Sequence, residues 1–152
     1  MELGKLHDFI LRAKAATYVG DGAQVQSSRL GSHDLIYEDG DFCYQDSYFG
    51  GSDFIGEEVV YYLNQPVWGM NYYGVILDPH KITAAEAGKM IKASLSRMYD
   101  EDRFLGGWEH SEGDLAYHDS STGKLDHFRG YEWIEKDGSK VYELLYHGGL
   151  IN

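Results

Sequence analysis

The stretch Asp41-Phe42-Cys43-Tyr44-Gln45-Asp46-Ser47 returns later in the chain as Asp114-Leu115-Ala116-Tyr117-His118-Asp119-Ser120. Phe54-Ile55-Gly56-Glu57-Glu58 returns as Phe128-Arg129-Gly130-Tyr131-Glu132, and Val67-Trp68-Gly69-Met70-Asn71-Tyr72-Tyr73-Gly74 as Val141-Tyr142-Glu143-Leu144-Leu145-Tyr146-His147-Gly148. Order is kept, and the register slips by one residue between the first block and the second. Internal self-similarity constrains architecture more strongly than any local signal. Two copies are too few for a solenoid, so the pattern implies one pseudo-symmetric domain over residues 1–152, made of two pseudo-repeats at about 3–77 and 83–150.

Outward from these blocks, each copy reads as one helix followed by strands. Leu3, Leu6, Ile10 and Ala13 make a helical stripe with Phe9 and Ala16 beside it, while Lys5, Asp8, Arg12 and Lys14 are expected off that stripe. Thr83-Ala84-Ala85-Glu86 has the capping-box spacing, and Ala87, Met90, Ile91, Leu95 and Met98 recur behind it at helical intervals. Strands are expected over 29–37, 41–49, 54–63 and 67–77, with Asn64-Gln65-Pro66 as a break, and again over 104–110, 114–120, 127–135 and 140–150. Glu38-Asp39-Gly40 and Asp137-Gly138 are hairpin turn signals. Short links favour meanders over crossovers. The expected fold is therefore α+β: one large twisted antiparallel sheet with two helices on one face. Several strands carry apolar residues on both faces, and the candidate covers for the second face are a ligand, a curl of the sheet or a second subunit in a homodimer.

Composition narrows the function. The chain has 152 residues, 43% hydrophobic and 25% charged, a globular balance. Thirteen Lys and Arg against 25 Asp and Glu leave a net charge of −12. Such a charge repels phosphate backbones and anionic membrane surfaces, so neither nucleic acid nor membrane is an expected partner. The single cysteine, Cys43, precludes an intrachain disulfide, and the N-terminal segment carries Glu2, Lys5, Asp8 and Arg12 rather than a leader's apolar run. The expected location is the cytoplasm.

Thirteen tyrosines dominate the aromatic residues. Strand parity places Tyr44, Asp46 and Tyr48 on one face, and Tyr117 and Asp119 on the matching face of the second copy. Glu58 and Glu132 recur likewise, as do Trp68 and Tyr72 against Tyr142 and Tyr146. Carboxylates set among rings are costly to desolvate unless paired. Two readings follow. In one, tyrosine–carboxylate hydrogen bonds simply fix the strands. In the other, an aromatic cavity with carboxylate anchors takes a small, cationic or amine-bearing ligand. The wall would be Tyr44, Tyr48, Trp68, Tyr72, Tyr117, Tyr142 and Tyr146. The polar anchors would be Glu57, Glu58, Asn71, Glu132 and His147, several of them positions where the copies differ.

Other chemistries find little support. The seven histidines show no HxH or HExxH spacing, so no metal is expected. No glycine-rich loop follows a strand and opens a helix, and no cofactor motif is present. Gly56 and Gly130 are expected to mark turns, bulges or close backbone approaches. Cys43 has no neighbouring base to activate it.

The runs Tyr44-Gln45-Asp46-Ser47-Tyr48-Phe49-Gly50-Gly51, Phe54-Ile55-Gly56-Glu57-Glu58-Val59 and Pro66-Val67-Trp68-Gly69-Met70-Asn71-Tyr72-Tyr73-Gly74 resemble an uncharacterised bacterial family, domain of unknown function 5680. The resemblance covers nearly everything after the first helix. It implies no activity and no catalytic residues. The layout is also similar to the effector-binding domains of drug-responsive regulators, and that similarity implies an aromatic pocket with a buried acid. The leading expectation is a small-molecule-binding domain. The alternatives are a small hydrolase or isomerase using a buried carboxylate, and an acidic domain that binds a basic protein.

Overall fold

The computed structural model describes residues 1–152. The elements run α1 (Leu3–Ala16), β1 (His33–Asp39), β2 (Phe42–Gly50), β3 (Phe54–Tyr62), β4 (Gln65–Ile76), α2 (Ala84–Tyr99), β5 (Trp108–Glu112), β6 (Leu115–Lys124), β7 (His127–Lys136) and β8 (Ser139–Leu150). All eight strands form one antiparallel sheet in the order β1-β2-β3-β4-β8-β7-β6-β5. Two four-strand meanders thus meet through β4 and β8 at the centre. The fold is α+β, and the same helix-then-four-strands string occurs twice along the chain.

Local chemistry sets the boundaries. Thr83 and Glu86 form the reciprocal capping box that starts α2. Asp137-Gly138 closes the β7–β8 hairpin with φ of +51° and +71°. Its counterpart between β3 and β4 is Leu63-Asn64, at +50° and +62°. The expected break at Asn64-Gln65-Pro66 is therefore only this two-residue turn, and Pro66 lies inside β4. The ladder tolerates it because β8 does not pair with β4 until Trp68, and the β3 register shifts between Val60 and Tyr61 opposite it. Arg29 to Ser32 makes a turn, with the Ser32 amide donating to the Arg29 carbonyl, so β1 starts later than the apolar pattern suggests.

One face of the sheet carries nearly all the core. Tyr44, Val60 and Trp68 stand side by side across β2, β3 and β4, with Asp46, Glu58 and Met70 in the next row. The row beyond runs Tyr48, Gly56, Tyr72, Tyr146, Gly130 through five strands. From α1, Leu6, Phe9, Ile10 and Ala13 pack on the Tyr44–Trp68 side of this face. From α2, Ala87, Met90 and Ile91 pack with Tyr117, Ile134 and Tyr142 on the other. Lys14 departs from expectation: it is buried, 6% exposed. It lies four residues after Ile10, one turn on, so it points to the sheet as Ile10 does. No helix is long and apolar enough to cross a membrane.

Candidate functional site

The helices do not seal the sheet completely. Between them and the inner face lies a cavity of about 270 Å³. Gly50, Gly51, Ser52 and Ala84 are its exposed wall residues, so its mouth lies between the β2–β3 turn and the start of α2. Gly88 lies on the wall one turn further along α2, and a Cβ there would meet nothing within 4 Å.

Four carboxylates from four strands line this space: Asp46, Glu58, Asp119 and Glu132. They form two cross-strand pairs, Asp46 opposite Glu58 on β2 and β3, and Asp119 opposite Glu132 on β6 and β7. Like charges directly opposite in a sheet repel, and burial adds a desolvation cost. Each pair is relieved differently. Tyr72 donates its hydroxyl hydrogen to Asp46 Oδ1 at 2.6 Å, and the Lys14 ammonium of α1 pairs with Glu58 Oε2. Lys14 also lies 5.5 Å from the Phe104 ring centroid and 6.0 Å from that of Trp68. In the second pair, Tyr146 donates to Asp119 Oδ1 at 2.8 Å, while Tyr117 and Tyr142 donate to Glu132 at 2.5 and 2.9 Å. No donor reaches Asp119 Oδ2.

Proton affinities follow this arrangement. Burial, then the facing Glu58 carboxylate, pushes Asp46 up to about 7, against the opposing pull of the Tyr72 hydrogen bond and Lys14. Burial pushes Glu132 to about 7, although two tyrosine hydroxyls favour its ionised form. Asp119 rises to about 6, again through burial, with the Tyr146 bond and the more distant Arg103 resisting. The facing hydroxyls of Tyr72 and Tyr142 are pushed above the usual phenol range by burial and then by these carboxylates. Asp46, Asp119 and Glu132 are thus all held above the usual carboxylate range.

The residues singled out in the sequence divide three ways. Tyr44, Tyr48, Glu58, Tyr72, Glu132, Tyr142 and Tyr146 lie on the cavity wall. Trp68 and Tyr117 do not. Trp68 is fully buried beside the wall, stacked on Phe128 with its Nε1 donating to the Leu125 carbonyl, and Tyr117 sits behind Glu132 as its hydrogen-bond donor. Glu57, Asn71 and His147 are corrected more sharply. They form an exposed row across β3, β4 and β8 on the opposite face of the sheet, because each is one residue out of phase with the inward set.

Lys14, Tyr18, Tyr99, Asp46 and Asp119 also stand on the wall, outside the expected set. The repeated Tyr-x-Asp motif carried the signal for the aspartates. For Lys14 it was helical spacing, four residues after Ile10, whereas Tyr18 lies beyond the end of α1, where helical spacing no longer applies. Gly56 and Gly130 have neither positive φ nor a turn. The Tyr72 and Tyr146 rings lie where their Cβ atoms would be. No three His, Cys, Asp or Glu side chains are grouped to hold a metal ion.

A family model described as a domain of unknown function (DUF5680) matches residues 46–151, a span that holds all four cavity carboxylates but not Lys14, Tyr18 or Tyr44. No curated protein and no solved structure matches the chain.

Proposed function

Since the chain belongs to the DUF5680 family, whose description assigns no activity, we propose its function from the cavity: it binds a small, amine-bearing organic cation between the helices and the sheet. The observation that carries this reading is the imbalance inside the cavity. Four buried carboxylates face one buried ammonium, with tyrosine rings around them. A cation with an apolar body would offset the carboxylate repulsion and gain ring contacts that water cannot supply. The volume of about 270 Å³, just under the roughly 300–1,000 Å³ of small-molecule sites, suits a compact ligand. On this reading the two helix-plus-meander halves are copies of one module forming a single domain in the cytoplasm, with the site where they meet.

Gly88 supports the same reading. A glycine inside a helix costs about 1 kcal/mol relative to alanine, and packing does not demand one here. Its missing side chain keeps the mouth open. The test is calorimetry of a panel of small aromatic amines and their neutral isosteres against the wild type and Gly88→Trp. Binding to the wild type that is lost on plugging the mouth supports the proposal. A silent panel, or binding indifferent to the plug, overturns it.

A second reading rests on Glu132. A carboxyl with affinity near pH 7, held by two tyrosines on a cavity wall, is suited to general acid–base work in a hydrolase or isomerase. Turnover of a panel compound that disappears in Glu132→Gln, with a pH profile centred near 7, would favour it over binding alone.

A further inference from the structure

The two acidic pairs are built alike but neutralised unequally. In the first, α1 supplies a covalent cation, Lys14, to Glu58. The buried positions of α1 and α2 correspond in order: Leu6 with Ala87, Phe9 with Met90, Ile10 with Ile91, Ala13 with Ser94. The same offset matches Lys14 with Leu95, which also lines the cavity. The second pair, Asp119 and Glu132, thus faces a helix that brings it no cation. Its neighbours donate only neutral hydroxyls, and Asp119, 8% exposed, keeps Oδ2 without a partner. The guanidinium of Arg103 does not fill the gap, because it donates to the carbonyls of Leu105 and Gly107 at 3.2 and 2.7 Å and to Glu101.

Building on the binding function proposed above, we infer that the Asp119–Glu132 pair is the seat of the ligand's ammonium group, and that this group carries at least one N–H. Lys14 on Glu58 shows what such a group does in this fold: an ammonium beside a buried carboxylate, with aromatic rings around it. The ligand's ammonium takes the corresponding place in the other half, at the Asp119–Glu132 edge of the cavity, where a turn of the Asp119 side chain brings the enclosed Oδ2 to it, with Glu132 as the second negative charge and Tyr99, Tyr142 and Tyr146 as ring neighbours. An oxygen that needs a hydrogen-bond donor discriminates within the class. Primary and secondary amines satisfy it, whereas a quaternary ammonium supplies charge alone.

The experiment uses 2-phenylethylammonium, its neutral isostere 2-phenylethanol and its N,N,N-trimethyl derivative, titrated into wild-type protein carrying ¹³C-labelled Asp and Glu carboxyls at pH 6, where the Asp119 and Glu132 carboxyls both still hold protons to lose. The expected result is at least tenfold tighter binding of the primary ammonium than of either analogue. The largest carboxyl shifts should fall on Asp119 and Glu132, toward their ionised positions. Asp119→Asn should weaken binding at least tenfold, and Leu95→Lys should abolish it while raising Tm, by supplying the missing cation from α2. The wild-type carboxyl shifts decide the matter even where a variant fails to fold. Shifts concentrated on Asp46 and Glu58, or Asp119→Asn affinity within twofold of wild type, would overturn the assignment. So would failure of the ammonium to bind, or equal binding of the alcohol. In the first two cases, ammonium binding that Gly88→Trp still blocks would leave the cavity's amine-binding function standing, whereas failure of the amines to bind sinks both, so the two proposals fail distinguishably.

Discussion

Tyr72 and Tyr146 stand directly opposite each other on β4 and β8, and each lays its ring over a glycine of the next strand to reach an aspartate one strand further out. Tyr72 crosses Gly56 to Asp46, and Tyr146 crosses Gly130 to Asp119. The two hydrogen bonds run in opposite directions from the centre of the sheet, so one local device is used twice and serves both acidic pairs.

That device makes the glycines testable. Gly130→Ala puts a Cβ into the Tyr146 ring. Reduced chain entropy in the unfolded state would favour alanine by about 0.4–1 kcal/mol, but displacing a packed ring costs about 1–3 kcal/mol, so the clash wins. Denaturant unfolding should show a net loss of stability. Tyr146→Phe combined with Gly130→Ala should lose less than the sum of the two single changes, because both disturb the same contact.

The Lys14–Glu58 pair is buried on both sides. Lys14→Met removes the only buried ammonium and leaves a carboxylate without its partner, which costs about 3–5 kcal/mol. Adding Glu58→Gln should recover much of that loss, since an uncharged pair carries no desolvation debt. A Lys14→Met protein as stable as wild type at pH 7.5 would contradict the ion-pair account.

The pH dependence has a definite sign. Asp46, Asp119 and Glu132 bind protons more tightly folded than unfolded, with folded values of about 7, 6 and 7 against ordinary values near 4. Their contribution to stability is complete below the unfolded values and is lost as pH rises through about 6 to 7. Asp34 acts in the opposite sense. Burial alone would raise it, but hydrogen bonds from Ser28, Ser32 and Ser47 override that and hold it below the usual range. Its contribution is present above the ordinary aspartate value and is lost as pH falls below it. Thermal melts of the unliganded protein should therefore peak near pH 4–5 and decline toward pH 8. A bound ammonium should flatten the decline by holding the carboxylates ionised, and a Tm rising from pH 5 to 8 would refute the assignment of the buried acids.

The outer face supplies the control. Glu57, Asn71 and His147 are exposed there, so Glu57→Gln, Asn71→Ala and His147→Ala should each change stability by no more than about 0.5 kcal/mol. Binding by the cavity should be unaffected. Trp68→Phe separates packing from recognition in the same way. It forfeits the hydrogen bond to Leu125 and part of a stacked core, so it should unfold more easily, by about 1–3 kcal/mol, yet bind the ammonium probe within twofold of wild type.

Much of this was legible in the residues alone. The recurrence of Tyr-x-Asp, Gly-x-Glu and the aromatic block implied two similar sheet halves, because alternation along a strand is a local property that the chain carries wherever it goes. The same alternation placed Tyr44, Asp46, Glu58, Tyr72, Glu132 and Tyr146 on shared faces. It went astray where a candidate was chosen for its chemistry rather than its parity: Glu57, Asn71 and His147 are polar and differ between the halves, yet they point outward.

What no stretch of chain could determine was which side chains meet. Lys14 and Glu58 are 44 residues apart, and nothing in either neighbourhood names the other. Their pairing exists only because α1 lies on the sheet with that side turned inward. The unequal treatment of the two acidic pairs has the same origin. Lysine in one helix and leucine in the other look like ordinary variation in a sequence, and become a difference in buried charge only when both helices are packed against carboxylates largely withdrawn from water.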